Sequence, residues 1–297
     1  MKKVLKFLSG LLVAALLLSI GFGLFGYFFT YTLYRDVSYG TKEVNVMDIY
    51  IPNEAYKRES NGVILFIHGG SWSGGDKSDE TVRCRMFASR GYIVANVNYS
   101  LWSEETADTY SVLAVLDELD VALLKVQKFA AEHGIIIDKA ATVGYSAGAH
   151  LAMLYAYSRG EKSPVEIVFS ASMAGPADIS PEVWGEDMTI RVARRLTGEE
   201  LTLEMLHSGE ANALLASVSP VSFIDANTPP TLLMQGGKDI VVPPANADSL
   251  VKKLGDNAIP YDYLHLKDSN HSLLQNPIQH IKFYGILFDY CERYFGK

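Results

Sequence analysis

The chain has 297 residues, with 26 Lys and Arg against 34 Asp and Glu for a net charge of −8, and 48% of its residues are hydrophobic. This surplus of acid without a dense basic field excludes nucleic acid as a main partner, because a phosphate backbone is met by concentrated Lys and Arg. Two cysteines, Cys84 and Cys291, make no disulfide framework and are expected as separate thiols, and the histidines lack zinc-ligand spacing, so the fold must rest on a buried core.

Lys2, Lys3 and Lys6 precede an uncharged run from Phe7 to Tyr34 that Arg35 and Asp36 close. The run is longer than the apolar centre of a removed leader and lacks a small-residue cleavage pattern, whereas its length suits a tilted membrane helix. Phe22, Phe25, Tyr27, Phe28, Phe29, Tyr31 and Tyr34 crowd its distal half, as at a bilayer interface. Residues 1–36 are therefore expected to anchor the chain in a lipid bilayer, with the basic flank cytoplasmic and residues 37–297 extracytoplasmic. The alternatives are a leader removed on secretion and an apolar helix used in protein contact.

After this segment, short apolar runs recur at 44–51, 63–67, 92–97, 140–143, 165–171, 231–235 and 260–266. Helical patterns occupy about 79–89, 109–133, 147–158, 245–254 and 278–294. The alternation predicts an α/β fold: a mostly parallel sheet with an antiparallel beginning, covered by helices, with reactive loops at the carboxyl strand ends. Residues 176–222 interrupt it as a polar, partly helical stretch punctuated by Pro176, Pro181, Gly185 and Gly198, which reads as a cap insertion. Trp184, Met188, Leu196, Leu203, Met205 and Leu206 are its candidates for a substrate pocket, with Trp72 and Tyr145 from the core. Ordinary packing of short helices on the sheet is the plainer reading of the same residues.

The chemistry begins at His68-Gly69-Gly70-Ser71-Trp72, directly after the 63–67 run. Glycine amides at a strand end can approach a carbonyl oxygen on which negative charge develops, so Gly69 and Gly70 are candidate oxyanion donors together with the Ala147 amide. His68 precedes the glycines directly and is better placed to order the loop than to act as a base. Gly144-Tyr145-Ser146-Ala147-Gly148 sits between an apolar run and a helix former, where a tight turn would lift the Ser146 hydroxyl out of the fold. His150, one turn on, is expected to pack behind the serine, and His133, before Gly134, to close a helix. Asp239 leaves the 231–235 run through Gly236-Gly237-Lys238, and His271 leaves the last run through Asp268-Ser269-Asn270. Ser146 as nucleophile, His271 as base and Asp239 as its orienting acid form one candidate catalytic set. Asp225 belongs at the opposite end of its strand, and Asp268 is expected to shape the His271 loop.

The chain order Ser146, Asp239, His271 is that of an α/β-hydrolase. The sequence resembles this superfamily from about Val37 to Phe295, and specifically the carboxylesterase group with its hormone-sensitive-lipase-like and acetyl-esterase-like enzymes. The motifs are Asp48-Ile49-Tyr50-Ile51-Pro52, His68-Gly69-Gly70-Ser71-Trp72, Gly75-Asp76-Lys77 and Gly144-Tyr145-Ser146-Ala147-Gly148-Ala149-His150, with Asp239 and His271. The resemblance implies a serine carboxylesterase of small acyl esters that needs neither metal nor organic cofactor. It leaves an arylformamidase or other amidase open, and an inactive tethered interaction protein as a different class. Two positions depart from the family pattern: Asn270 stands where a glycine often precedes the histidine, and Gln235 where a histidine often opens the acid loop.

Overall fold

The computed structural model describes residues 30–296. Its strands are β1 (Tyr31–Ser38), β2 (Val46–Pro52), β3 (Asn61–Ile67), β4 (Ile93–Val97), β5 (Ile137–Tyr145), β6 (Glu166–Met173), β7 (Thr231–Gly236) and β8 (Tyr261–Leu266). They form one sheet in the order β1-β2-β4-β3-β5-β6-β7-β8. β2 pairs antiparallel with both β1 and β4, and every later pairing is parallel.

The helices are α1 (Thr81–Ser89), α2 (Val112–Glu132), α3 (Ala147–Arg159), α4 (Pro181–Trp184), α5 (Glu186–Thr197), α6 (Leu203–Ser208), α7 (Asn212–Ser217), α8 (Ala245–Asp256) and α9 (Pro277–Phe295). Each strand and helix expected after the amino-terminal apolar run is present. β1 is the addition.

The sheet is buried on both faces because β3 is apolar at consecutive positions, and the strand period of two sorts its side chains. Val63, Leu65 and Ile67 pack toward α2, α3, α5 and α8, while Ile64 and Phe66 pack toward α1 and α9. Fully burying each such side chain contributes about 1.5–3 kcal/mol. α2 presents Val112, Val115, Leu116, Leu119, Ala122, Leu123 and Val126 as one stripe, is capped by the Ser111 hydroxyl on the Leu113 amide, and ends at His133. There the His133 Nδ1 meets the Phe129 carbonyl at 2.8 Å, the helix-end position read from the sequence. α3 is buried at every position from Ala147 to Tyr157, as a helix apolar on all sides must be. Cys84 in α1 and Cys291 in α9 are both buried and form no disulfide with each other.

The expected anchor needs one correction. Its body lies outside the described residues, but its distal end, Tyr31 to Asp36, is the first part of β1 rather than the end of a helix. Lack of charge hid a strand whose aromatic groups serve the fold: Tyr31 lies against Tyr50 with centroids 5.6 Å apart, and Tyr34 meets Phe129 edge-on at 4.8 Å. The Asp36 amide donates to Asp48 Oδ1, and the Asp36 carboxylate joins Asp48 around the Lys77 ammonium. Among the described residues no helix is long and apolar enough to cross a membrane. Tyr31 pairs with Pro52 and Ser38 with Val46, so β1 begins at the amino edge of the parallel strands, opposite the edge that carries Ser146.

Candidate active site

Ser146 stands between β5 and α3 with φ 54° and ψ −121°, a conformation that costs a non-glycine residue about 1–3 kcal/mol and persists only where surroundings enforce it. The enforcement is visible. The Ser146 amide donates to the Met173 carbonyl at 2.8 Å, and the His150 amide donates to the Ser146 carbonyl at 3.1 Å, starting the helix ladder. Gly148 lets α3 cross the end of β3: a Cβ there would lie 2.1 Å from the Ile67 carbonyl oxygen.

His271 and Asp239 arrive from the two strands beyond. His271 Nε2 lies 2.9 Å from Ser146 Oγ, and its Nδ1 lies 2.8 Å from Asp239 Oδ2. Asp239 is held by further donors: the amides of Val241 and Val242 give to Oδ1, each at 2.9 Å, and Gln235 Nε2 gives to Oδ2 at 3.0 Å. Gln235 also donates to the Val242 carbonyl at 3.1 Å, so both its amide hydrogens cross-brace the acid loop. Gln235, one of the two departures from the family pattern, thus has a bracing role of its own.

The other departure is as local. The Asn270 Oδ1 accepts from the Ser272 amide at 3.0 Å and hydroxyl at 2.8 Å, while the Asn270 carbonyl accepts from the Leu273 amide at 3.1 Å. Buried Leu273 then anchors the turn that presents His271. Asp268 forms an exposed ion pair with Lys238 at 2.7 Å, bridging the base and acid loops. Asp225 lies at the other edge, beside a depression of about 540 Å³ that includes Lys162, Glu166 and Phe223 and no member of the Ser146 chain.

The glycine loop lies beside the serine. Gly69 is close enough that a Cβ there would be 3.3 Å from Ser146 Cβ, and Gly70, at φ 117°, turns so tightly that a Cβ would meet the Gly74 carbonyl oxygen at 2.1 Å. Neither the Gly69 nor the Gly70 amide donates a backbone hydrogen bond among the described residues. The Ala147 amide is at the first helical position, where N–H groups have no intrahelical acceptor. Two histidines brace the loop: His68, as the sequence suggested, and His150, which the sequence places only behind Ser146. His68 is buried, its Nδ1 is 2.7 Å from the Gly69 carbonyl, and its ring stacks on Tyr99 at 4.4 Å. Burial pushes its pKa down, which favours a neutral ring. His150 receives the Trp72 indole N–H on Nδ1 at 3.2 Å, which leaves Nε2–H to donate to the Val218 carbonyl at 2.8 Å. Burial lowers its pKa to about 4.

Asp76, in the second glycine motif, accepts from the Ser78 amide and from Asn98 Nδ2 at 2.7 Å. Burial opposes its ionisation, yet these bonds hold its carboxyl down to about 2. It caps the short turn before α1, and thereby ties the glycine loop to the end of β4.

A cavity of about 210 Å³ opens at Ser146, lined by Ser71, Trp72, Ala147, Pro176, Trp184, Met188, Val192, Arg195 and Ile240 to Val242. Trp72, Trp184 and Met188 thus line it as expected from the sequence. Four cap candidates do not: Leu196 is buried in the core, Leu203 is exposed, and Met205 and Leu206 pack against the core. Tyr145 is also corrected, because its hydroxyl donates to the His271 carbonyl at 2.8 Å and its ring lies beside the imidazole rather than in the cavity. Val192 and the Ile240–Val242 turn carried no pattern that marked them, whereas Arg195 stands out in the sequence only as part of a short basic cluster with Arg191 and Arg194, which reads as a solvated helix face or as a contact for an anionic substrate or lipid. Only the helical spacing of Met188, Val192 and Arg195 on α5 points to them afterwards.

A family model described as BD-FAE matches residues 47–254, which spans the sheet from β2 to α8 and includes Ser146 and Asp239. The chain belongs to the BD-FAE family. Among curated relatives, this family member is 31% identical over 147 residues to a probable isoprenylcysteine alpha-carbonyl methylesterase, ICME, of Oryza sativa subsp. japonica, covering 49% of the chain and 34% of the relative. It is 23% identical over 254 residues to the esterase LipC of Mycobacterium tuberculosis, covering 80% of the chain and 59% of LipC. The chain therefore spans between about a third and three fifths of these relatives' lengths.

Among solved structures, a truncated carbohydrate esterase from gut microbiota superposes with a TM-score of 0.73 at 17% identity, over 90% of this chain and 98% of that one. Esterase B of Lactobacillus rhamnosis, inhibited by a tributyrin phosphonate, superposes with a TM-score of 0.68 at 19% identity, over 93% and 92%. At such identities the likeness establishes the fold, which is that of an α/β-hydrolase.

Proposed function

We propose that this BD-FAE-family chain is a serine carboxylesterase of small acyl esters. The observation that carries the reading is the unbroken hydrogen-bond chain from Ser146 Oγ through His271 to Asp239, at 2.9 and 2.8 Å, on a strained turn that opens into an apolar cavity. Relatives named as esterases support the same reaction class.

In this mechanism Ser146 Oγ attacks the ester carbonyl carbon while His271 Nε2 takes the hydroxyl proton. Asp239 keeps Nδ1 protonated and stabilises the imidazolium, and Gln235 with the Val241 and Val242 amides holds the carboxylate in place. The oxyanion receives N–H groups from Ala147 and from Gly69 or Gly70. One such donor contributes about 3 kcal/mol to the transition state. Collapse of the adduct breaks the bond to the alkoxy oxygen, which leaves as alcohol with the proton from His271 Nε2. A water then delivers its proton to His271 and its oxygen to the acyl carbon, and Ser146 departs reprotonated with release of the acid.

The test is hydrolysis of acetyl, butyryl and octanoyl esters, an aryl formamide and a peptide amide, with labelling by a fluorophosphonate. Ser146→Ala is expected to keep the fold and to lose about 10⁴-fold or more in kcat on esters, together with the label. A normal rate in that variant sinks the assignment. Faster turnover of the formamide than of any ester would replace the esterase reading with a formamidase, and an unlabelled, inactive wild type would point to a hydrolase fold used for binding alone.

A further inference from the structure

Arg195 is the one charged side chain among the residues that line the Ser146 cavity. Its neighbour on α5, Arg194, is neutralised by Glu104 at 3.0 Å and Glu200 at 3.5 Å. Arg195 has no acidic partner among the described residues; its guanidinium carbon lies 5.7 Å from the centroid of the Trp102 ring. Trp102 is itself fixed to the cavity wall, because its amide donates to the carbonyl of Trp72 at 2.8 Å. A planar, exposed cation is thus steered by an indole at the border of a mostly apolar pocket, with its donors uncommitted. That is the arrangement in which a guanidinium recognises a carboxylate, by charge and by paired N–H groups.

The side of the ester that this pocket takes follows from the proton path. The leaving oxygen must come to His271 Nε2, and His271 does not line the cavity, whereas Ser146 and Ala147 do. The alcohol therefore departs away from the cavity, and the acyl chain occupies it. A volume of about 210 Å³ holds some seven water-sized groups at about 30 Å³ each, room for a short chain with a terminal carboxylate. Resting on the serine esterase reading, we propose that Arg195 selects anionic acyl groups, and that monoesters of short dicarboxylic acids are preferred over uncharged acyl esters of equal length.

The experiment compares mono-4-nitrophenyl glutarate with 4-nitrophenyl pentanoate on the full chain, in wild type, Arg195→Met, Arg195→Lys and Arg191→Met. Arg195→Met keeps the stem and removes the charge, so its kcat/KM is expected to fall at least tenfold more on the glutarate than on the pentanoate, mostly through KM. Arg195→Lys should recover part of that difference, and added salt should narrow the wild-type preference. Arg191, exposed and outside the cavity, serves as control, and its replacement should shift both substrates equally. Equal losses on both substrates in Arg195→Met, or no wild-type preference for the glutarate at low salt, would overturn the role of Arg195 while leaving the esterase intact. Failure of wild type on both substrates with no fluorophosphonate label would remove the esterase reading itself and the selectivity with it.

Discussion

The turn that holds Ser146 and the α4–α7 segment, whose first two helices wall its cavity, lie side by side and are built on opposite principles. The turn is set by backbone: a positive φ at Ser146, an amide bond to Met173, and a glycine whose replacement would run into β3. The segment is set by side chains on short helices, with Met188 41% exposed and Trp184 held by an indole bond to the Asp178 carbonyl at 2.8 Å. His150 joins the two, since one ring nitrogen receives Trp72 from the glycine loop and the other gives to Val218 at the end of the segment. The lesson is that the Ser146–His271–Asp239 chain rests on geometry that admits almost no substitution, while the cavity beside it is walled by side chains that can change without moving that chain.

The strongest way to break that contrast is Gly148→Ala. Its Cβ would lie 2.1 Å from the Ile67 carbonyl oxygen and 2.4 Å from that of His68, both backbone atoms that cannot give way alone. Destabilisation of about 3 kcal/mol is expected in a urea titration, with loss of ester turnover in whatever folds. A stable, active variant would show that the turn tolerates more than the contacts allow.

The join gives a smaller effect, dependent on pH. His150 titrates at about 4 when folded and near the ordinary 6.5 when unfolded, so between these values the unfolded chain binds more protons. The stability held by the neutral ring is complete above about 6.5, falls as the pH drops toward 4, and is lost by up to about 3 kcal/mol below that. His150→Asn cannot titrate, and its unfolding free energy should change less steeply than that of wild type across this window. Parallel pH profiles for the two proteins would refute the assignment.

The smallest effect sharpens the comparison from the cavity wall. Met188→Ala removes a partly exposed wall of the cavity, so stability should stay within about 0.5 kcal/mol while the preference among acetyl, butyryl and octanoyl esters shifts toward the longer chains. An unchanged chain-length profile, measured as kcat/KM, would place the acyl group elsewhere.

Ser146, Asp239, His271 and the glycines at 69 and 70 were legible in the chain because each sits in a short segment that leaves an apolar run, and a carboxyl strand end is where parallel strands gather such segments. The same reasoning misplaced Tyr145 and Tyr31. Both are aromatic, and pattern alone does not say whether an aromatic ring lines a pocket, spans an interface or braces a neighbour. Tyr145 bonds a carbonyl 126 positions away, and Tyr31 pairs with Pro52.

The sequence by itself determined the layered fold, the three residues of the hydrogen-bonded chain and their order, because apolar period, glycine and turn chemistry are local properties. Only the tertiary structure decided what surrounds them: β1 on the sheet edge, Gln235 as the brace of Asp239, and Arg195 beside Trp102 at the cavity border. Those features exist through contacts between distant segments, and a side chain carries no mark of a partner that folding alone brings to it.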